Sequence, residues 1–137
     1  MPFHHEVTVR FADTDMMGHV NNAAYLFFLE EARIAFFRSL MTETGERFFG
    51  RGLIVARSEL DYVRPVFFGN PVEAEVSVLS VGRSSFRVGY LLRQRGQEVA
   101  RGLTVQVAYD YKANSSRPLD DVERSVLEAQ LLGTEGP

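Results

Sequence analysis

Residues suited to acyl-transfer chemistry are concentrated in one short polar segment near the start of the chain. Asp13 and Asp15 are carboxylates two positions apart, and His19 follows a glycine a few residues later. Asn21 or Asn22 can cap a helix, whose unpaired N–H groups and positive dipole end can polarise a carbonyl group. A carboxylate beside such a helix start can attack the carbonyl or activate water. The same residue types more often only shape a turn and cap a helix, so by themselves they leave both interpretations open.

Two elements flank this polar segment. Residues 5–11 alternate apolar and polar side chains, which predicts a first strand. Residues 22–41 lack glycine and proline and repeat apolar residues every three or four positions, which predicts a long helix. Because that helix is apolar nearly all round, we expect other structure to enclose it.

The rest of the chain favours an antiparallel sheet. After a predicted loop over 42–52, side chains alternate with period two in four stretches, at 53–63, 72–81, 86–93 and 99–111. Short turn sequences join these stretches, as is typical of an antiparallel meander. Residues 118–132 favour a terminal helix and 133–137 a frayed tail. The sequence thus predicts one α+β domain over 1–137, with a five-stranded antiparallel sheet wrapped around one long central helix.

Composition excludes several classes of function. The formal charge is −3 and the 15 Lys and Arg residues are dispersed, which disfavours nucleic-acid binding through a basic patch. The chain has no cysteine and only 3 histidines, at positions 4, 5 and 19, so no metal site and no disulfide is predicted. No apolar run reaches the roughly 18 residues of a membrane span, and the first residues do not resemble a signal peptide. We therefore expect a cytoplasmic protein that does not enter a membrane.

Three motifs in register give the polar segment a family resemblance. They are Asp-x-Asp at 13–15, Gly-His-Val-Asn-Asn-x-x-Tyr at 18–25 and Glu-x-Ala-Arg at 30–33. Together they closely resemble the 4-hydroxybenzoyl-CoA thioesterase family. The resemblance implies a hotdog fold and hydrolysis of an acyl-coenzyme A thioester, with coenzyme A as part of the substrate and no separate cofactor.

The resemblance also assigns roles to residues. Asp15 matches the catalytic carboxylate, as nucleophile or general base, with Asp13 as its loop-shaping partner. The backbone N–H of Asn22 matches the donor that polarises the thioester carbonyl. His19 is a further catalytic candidate, because it resembles the histidine of the Asp-x-Asn-x-His pattern of plant acyl-carrier-protein thioesterases, although Met17 replaces the Asn of that pattern here. Asp13 and Tyr25 match family positions and are candidates for substrate binding.

Coenzyme A and the acyl group need separate binding surfaces. Arg64, Arg83, Ser84 and Ser85 lie in predicted turns at strand ends, where proteins resembling this one often contact the nucleotide; ordinary solvated turns are the alternative. The acyl pocket could draw on many phenylalanines, although most of them must belong to the core. These candidates are Phe27, Phe28, Phe36, Phe37, Phe48, Phe49, Phe67 and Phe68.

A five-stranded sheet with one helix leaves a strand edge and a sheet face to cover, which favours oligomerisation. The resemblance implies a homodimer or homotetramer with active sites at the subunit interface. Two other functions stay open: a thioesterase acting on acyl carrier protein, which would need a basic docking surface, and a noncatalytic acyl-CoA-binding protein. A hotdog dehydratase is disfavoured, since its expected histidine-with-acid helix signature is not evident.

Overall fold

The computed structural model describes residues 2–40 and 52–131. Of the predicted loop over 42–52, all residues but Gly52 lie outside this described part, and so does the predicted tail. The elements in chain order are β1 (Phe3–Val7), a 3-10 helix (Phe11–Asp13), α1 (Asn22–Ser39), β2 (Leu53–Tyr62), β3 (Val72–Val81), β4 (Ser85–Gln94), β5 (Gln97–Asp110), β6 (Ser115–Ser116) and α2 (Asp121–Ala129).

Strand β1 ends earlier than predicted. The sequence pattern placed its end at Phe11, whereas the ladder stops where Val7 pairs with Val72, the first residue of β3. The next residues of β1 would have no partner in β3, so the chain leaves the sheet there. The alternation of buried and exposed side chains continues to Val9, which is 6% exposed, and ends before Phe11, which is 78% exposed. The polar segment therefore begins as a connection rather than as a strand end.

The sheet is antiparallel, but its strand order differs from a simple meander. The order is β1-β3-β4-β5-β2, so β3, β4 and β5 form the predicted meander while β2 pairs with β5 instead of β3. The prediction for β2 was wrong because the connection over 63–71 is long enough to carry the chain from one side of the sheet to the other. In this strand order β1 and β2 are the two edges of the sheet. The connection also places residues 66 and 67 beside the polar segment.

The described sheet has six strands, one more than predicted. After β5 the chain folds back, and the short strand β6 pairs Tyr109 with Ser116 and Asp110 with Ser115. The Asp110 carboxylate accepts hydrogen bonds from the backbone N–H groups of Lys112, at 2.9 Å, and Ala113, at 3.1 Å. This side chain therefore builds the tight turn that lets β6 return along β5.

Helix α1 has one buried and one exposed face. It contacts β1 and β3; the inward side chains of β3 are fully buried from Val72 to Val78, whereas in β1 only Val7 is buried. The buried residues of α1 are Ala24, Tyr25, Phe28, Leu29, Ala32, Arg33, Phe36 and Phe37. On the other face Leu26 is 47% exposed and Phe27 is 59% exposed. One subunit thus leaves apolar surface of α1 uncovered, and a sheet that encloses this helix stays a prediction.

Helix α2 is shorter than the predicted 118–132 because Asp120 caps it. The Asp120 carboxylate accepts from the backbone N–H of Glu123, and the Glu123 carboxylate accepts from that of Asp120. Glu123 is fully buried and also accepts hydrogen bonds of 2.8 and 3.0 Å from Arg117. This paired, capped start fixes α2 against the sheet. In the described part of the chain, no helix combines the length and the hydropathy needed to span a bilayer.

Candidate active site

The Asp15 loop, defined here as residues 13–21, is anchored at one end by Asp13. This carboxylate is 3% exposed and accepts from the Arg10 backbone N–H at 2.8 Å and from the Arg10 guanidinium at 2.9 Å. Burial raises the pKa of Asp13, but the hydrogen bonds from Arg10 outweigh it and hold that pKa below its ordinary value. The backbone carbonyl of Asp13 accepts from Asn21 N–H at 2.8 Å. Asp13 therefore closes the loop.

Asp15 lies in the same loop but in a different environment. Its Oδ1 accepts from the backbone N–H groups of Met17, at 2.8 Å, and His19, at 3.2 Å. Gly18 allows this tight return, since its φ of +80° is a conformation that other residues adopt only with strain. The other oxygen, Oδ2, accepts no hydrogen bond from the described residues. The loop therefore orients an exposed carboxylate and leaves one oxygen free for a reacting group.

The loop leads directly into the start of α1. Asn21 is the N-cap, and its side chain accepts from Ala24 N–H at 3.0 Å. Of the two predicted cap candidates, the structure thus selects Asn21 and makes Asn22 the first helical residue. The backbone N–H of Asn22 lies in the first turn, where N–H groups lack intrahelical acceptors and the helix dipole is positive. A carbonyl oxygen placed there would be stabilised as it gains negative charge.

Asp15 and Asn22 face one cavity of about 310 Å³, which we call the loop cavity. His19, Tyr25 and Arg64 also line it, so the structure brings all three catalytic candidates and two of the substrate-binding candidates together. Among the described residues, its lining is Asp15, His19, Val20, Asn22, Tyr25, Tyr62, Val63, Arg64 and Pro65. Carboxylate, imidazole, helix start and guanidinium thus converge on a space open to a small acyl group.

His19 and Tyr25 form walls of the loop cavity. The His19 ring lies edge-on to Phe67, with ring centroids 5.0 Å apart, and a β-bridge joins the same two residues. Tyr25 is 3% exposed and stacks edge-on against Tyr62 at 4.8 Å. Burial raises the pKa of the Tyr25 phenol, so this group stays protonated near neutral pH. The sequence did not identify Tyr62 as a site residue, because the alternation of side chains predicts only that it lies in a strand.

A second space, which we call the arginine groove, adjoins the loop cavity through Arg64 and Pro65. Its volume is about 420 Å³, and its lining adds Phe67, Gln94, Arg95, Gln97 and Val99. Arg95 is a non-glycine residue with a φ of +53°, in the turn between β4 and β5. Two guanidinium groups thus line one groove beside the candidate nucleophile. Sequence reasoning selected Arg64 but not Arg95, because Gly96 predicts a turn here without singling out the arginine before it.

The structure separates Arg83, Ser84 and Ser85 from the loop cavity. They lie in the β3–β4 turn, whose carbonyl groups accept from Leu119 N–H, Ala108 N–H and the Arg124 side chain. This turn is at the opposite end of β4 from the Arg95 turn, about 30 Å away at 3.3 Å per strand residue. Within one subunit these three residues therefore cannot act together with Asp15. Their proposed contact with coenzyme A stays a prediction.

The phenylalanine candidates divide into core and surface. Phe28, Phe36 and Phe37 are buried, whereas Phe67 and Phe68 are 48% and 55% exposed. Phe48 and Phe49 lie outside the described residues. Among the residues that the structure describes, no group of three His, Cys, Asp or Glu side chains is placed to hold a metal ion.

Comparison with known proteins identifies the family to which this chain is similar. Residues 9–130 match the family model described as the Thioesterase-like superfamily. The chain is 33% identical over 116 residues to a 1,4-dihydroxy-2-naphthoyl-CoA hydrolase of Synechococcus elongatus, covering 82% of this chain and 85% of that protein.

Solved structures of thioesterases have a fold similar to that of this chain. A thioesterase of Thermus thermophilus, in complex with coenzyme A and Zn, is 37% identical with a TM-score of 0.81, covering 93% of this chain and 92% of that one. A protein of Bacillus stearothermophilus described as a predicted thioesterase is 26% identical with a TM-score of 0.87, covering 96% and 98%. These neighbours confirm the predicted hotdog fold at the level of the superfamily.

Proposed function

Because the chain belongs to the Thioesterase-like superfamily, we propose that it hydrolyses the thioester bond of acyl-coenzyme A, with Asp15 as its catalytic carboxylate. It is a thioester hydrolase, as its relatives named CoA hydrolase and thioesterase indicate. The narrower assignment to the 4-hydroxybenzoyl-CoA thioesterase family stays a prediction. The observation that carries the proposal is that Asp15 and Asn22, the first residue of α1, line one cavity.

This arrangement suits two routes to the same products. As a general base, Asp15 removes a proton from water while the water oxygen attacks the thioester carbon. As a nucleophile, Asp15 attacks that carbon itself and forms an anhydride that water then opens. In both routes the first-turn N–H groups of α1 stabilise the oxyanion, the C–S bond breaks, and the coenzyme A thiolate leaves and is protonated. The products are a free carboxylic acid and coenzyme A.

The arginine groove is the proposed path of the coenzyme A phosphates. Arg64 borders both the loop cavity and the groove, and Arg95 lies further along it. Guanidinium groups bind phosphate oxygens through paired N–H donors, which suits a pyrophosphate that extends away from the reacting carbonyl. One Arg64 N–H is already used, since it donates to the Glu98 carbonyl at 2.7 Å. That bond fixes the guanidinium at the junction of the two spaces.

A homodimer, or a homotetramer built from two of them, is part of the proposal. Strand β2 is a 10-residue edge strand, and such edges are usually paired or shielded. Tyr62 and Val63 at its end line the loop cavity and are 49% and 41% exposed. Pairing through β2 would bring a second subunit beside the loop cavity. It would also offer a route by which a partner's Arg83 turn could approach bound coenzyme A.

An aromatic acyl group is the proposed substrate class, since the Synechococcus elongatus relative is named a 1,4-dihydroxy-2-naphthoyl-CoA hydrolase. Tyr25, Tyr62 and His19 provide three ring systems around the loop cavity, and aromatic rings pack favourably edge-on or offset against one another. A flat aromatic acyl group would therefore gain more contact here than a flexible chain.

The test is a substrate panel read out as released thiol. Benzoyl-CoA, 1,4-dihydroxy-2-naphthoyl-CoA, hexanoyl-CoA, palmitoyl-CoA and an acyl carrier protein thioester are compared for wild type, Asp15→Asn and the matched control Asp121→Asn. We expect the highest kcat/KM for an aromatic acyl-CoA, and a fall of about a thousandfold in kcat for Asp15→Asn alone, as removal of a general base predicts. Preference for the carrier-protein thioester would reassign the substrate. Binding of acyl-CoA without release of thiol would make the chain a noncatalytic binding protein.

A further inference from the structure

A row of four polar side chains crosses the core between α1, β4 and β5. We call it the polar row, and its members are Arg33, Tyr90, Thr104 and Gln106. The Arg33 guanidinium donates to Tyr90 Oη at 3.2 Å, and Tyr90 shares a 2.6 Å hydrogen bond with Thr104. Gln106 Nε2 donates to Thr104 Oγ1 at 2.8 Å. All four side chains are buried, with exposures of 9%, 5%, 1% and 1%.

The polar row has unused hydrogen-bonding capacity at both ends. Gln106 Oε1 is buried and accepts no hydrogen bond from residues 2–40 or 52–131. Arg33 pairs with no carboxylate among the described residues, and its hydrogen bond to Tyr90 uses one of five N–H donors. A buried amide oxygen without a donor destabilises the folded state, and a buried cation without an anion destabilises it more. A ligand that supplied both partners would remove this destabilisation.

Both ends of the polar row line one cavity, which we call the Arg33 cavity. Its volume is about 190 Å³, the space of roughly six water molecules. Apart from Arg33 and Gln106 its lining is mostly apolar, and consists of Ile34, Phe37, Gly52, Leu53, Ile54, Val55 and Tyr111. The cavity therefore combines a cation and a hydrogen-bond acceptor with hydrocarbon and aromatic walls.

The Arg33 cavity is separate from the loop cavity. The two share no lining residue. Along α1, Arg33 is eleven residues beyond Asn22, which places it about 16 Å further along the helix axis. A small molecule bound at Arg33 therefore cannot contact Asp15 of the same subunit.

We propose that the Arg33 cavity is a binding site for a small hydroxylated aromatic carboxylate. The carboxylate pairs with the Arg33 guanidinium, a geometry in which two parallel N–H···O bonds form. The hydroxyl group donates to Gln106 Oε1, and the ring lies against Ile34, Phe37 and Leu53. Inorganic phosphate fits poorly, because it would leave these apolar walls in contact with water or with charge.

Isothermal titration calorimetry of the full-length protein with a panel of carboxylates tests this proposal. The probes are salicylate, 3-hydroxybenzoate, 4-hydroxybenzoate, benzoate and inorganic phosphate, each titrated with and without saturating coenzyme A. We expect at least one hydroxybenzoate to bind at least tenfold more tightly than phosphate and more tightly than benzoate. Saturating coenzyme A should leave this affinity within twofold. The measurement does not rest on the proposed function, because Asp15→Asn, which lacks the catalytic carboxylate, should bind the same probe equally well.

Matched variants locate the site. Arg33→Lys keeps the positive charge but loses the guanidinium fork, and should weaken hydroxybenzoate binding at least tenfold. Val55→Phe, at a residue that is 44% exposed and lines the Arg33 cavity beside Gln106, should block this cavity. Val63→Phe makes the same change in the loop cavity and should leave hydroxybenzoate binding within twofold. Gln106→Met should remove the preference for hydroxybenzoate over benzoate.

Several results would overturn the proposal. No binding of any carboxylate would leave the cavity as a space for water. Equal binding of phosphate would indicate a general anion site. Displacement by coenzyme A, or a loss in Val63→Phe without one in Val55→Phe, would place the ligand in the loop cavity instead.

Discussion

The Asp15 loop and the polar row both hold polar groups with unused hydrogen-bonding capacity, but they differ in how those groups are held. In the Asp15 loop, the partners are backbone N–H groups only a few residues away, and the free Asp15 oxygen is exposed. In the polar row, the partners come from three elements and the unpartnered Gln106 oxygen is buried. Exposure leaves the Asp15 carboxylate open to water and to a substrate, whereas the buried Gln106 oxygen can gain a hydrogen bond only from a group that enters the core.

The largest expected effect on the free energy of unfolding comes from replacing Asp13 in the Asp15 loop. Asp13→Ala removes the buried carboxylate that accepts from Arg10 and should lower the free energy of unfolding by about 2–3 kcal/mol, as hydrogen bonds to charged groups contribute. Urea denaturation followed by circular dichroism measures it. The matched control is Asp15→Ala, whose carboxylate is exposed, with an expected loss under about 1 kcal/mol. Equal losses in the two variants would mean that Asp13 does not anchor the loop.

Tyr90 tests the polar row with a smaller expected effect. Tyr90→Phe removes the hydroxyl between Arg33 and Thr104 and should lower the free energy of unfolding by about 1–2 kcal/mol, because buried donors lose a partner. Thioester hydrolysis should stay within twofold of wild type, since Tyr90 is outside the loop cavity. Tyr109→Phe, whose hydroxyl donates at the exposed end of β5, is the matched control and should cost little. A tenfold loss of kcat in Tyr90→Phe would contradict the separation of the two regions.

The smallest expected effect is on the pH dependence of stability, which should differ between the Asp15 loop and the polar row. The pKa of Asp13 is lowered on folding, so its contribution is present above its unfolded pKa of about 4 and is lost as pH falls below that value. Burial raises the pKa of Tyr90, so its contribution is present below its unfolded pKa of about 10 and is lost as pH rises beyond it. Thermal denaturation from pH 2 to 11 should show a shallower acid limb in Asp13→Asn and a shallower alkaline limb in Tyr90→Phe. If the acid limb of Asp13→Asn and the alkaline limb of Tyr90→Phe match those of wild type, these two groups are not the source of the pH dependence of stability.

Sequence reasoning located most of what depends on neighbouring residues. The Asp15 loop, the N-cap and the 18-residue helix α1 were all predicted within about two residues, because turns, caps and helical periodicity are local. Strands β3, β4 and β5 followed from alternation and short turns for the same reason. The end of β1 was misplaced because it depends on where its partner β3 begins.

The misplaced features depend on contacts between distant residues. Strand β2 joins β5 rather than β3, and this choice brings Tyr62 and Val63 to the loop cavity. Arg33 and Tyr90 are 57 positions apart, so no local pattern could pair them. The sequence offers Arg33 only as the last residue of the Glu-x-Ala-Arg motif, and a basic residue on a helix carries no signal of burial until the sheet covers it.

The sequence by itself determined the local structure at the helix start, because two carboxylates, a glycine turn and an Asn cap build one oriented loop from local hydrogen bonds. Only the tertiary structure decided which arginines lie beside that loop and which lie at the other end of the sheet. It also decided that Arg33 and Gln106 meet at one cavity, because strand order and register fix distances that spacing along the chain leaves open.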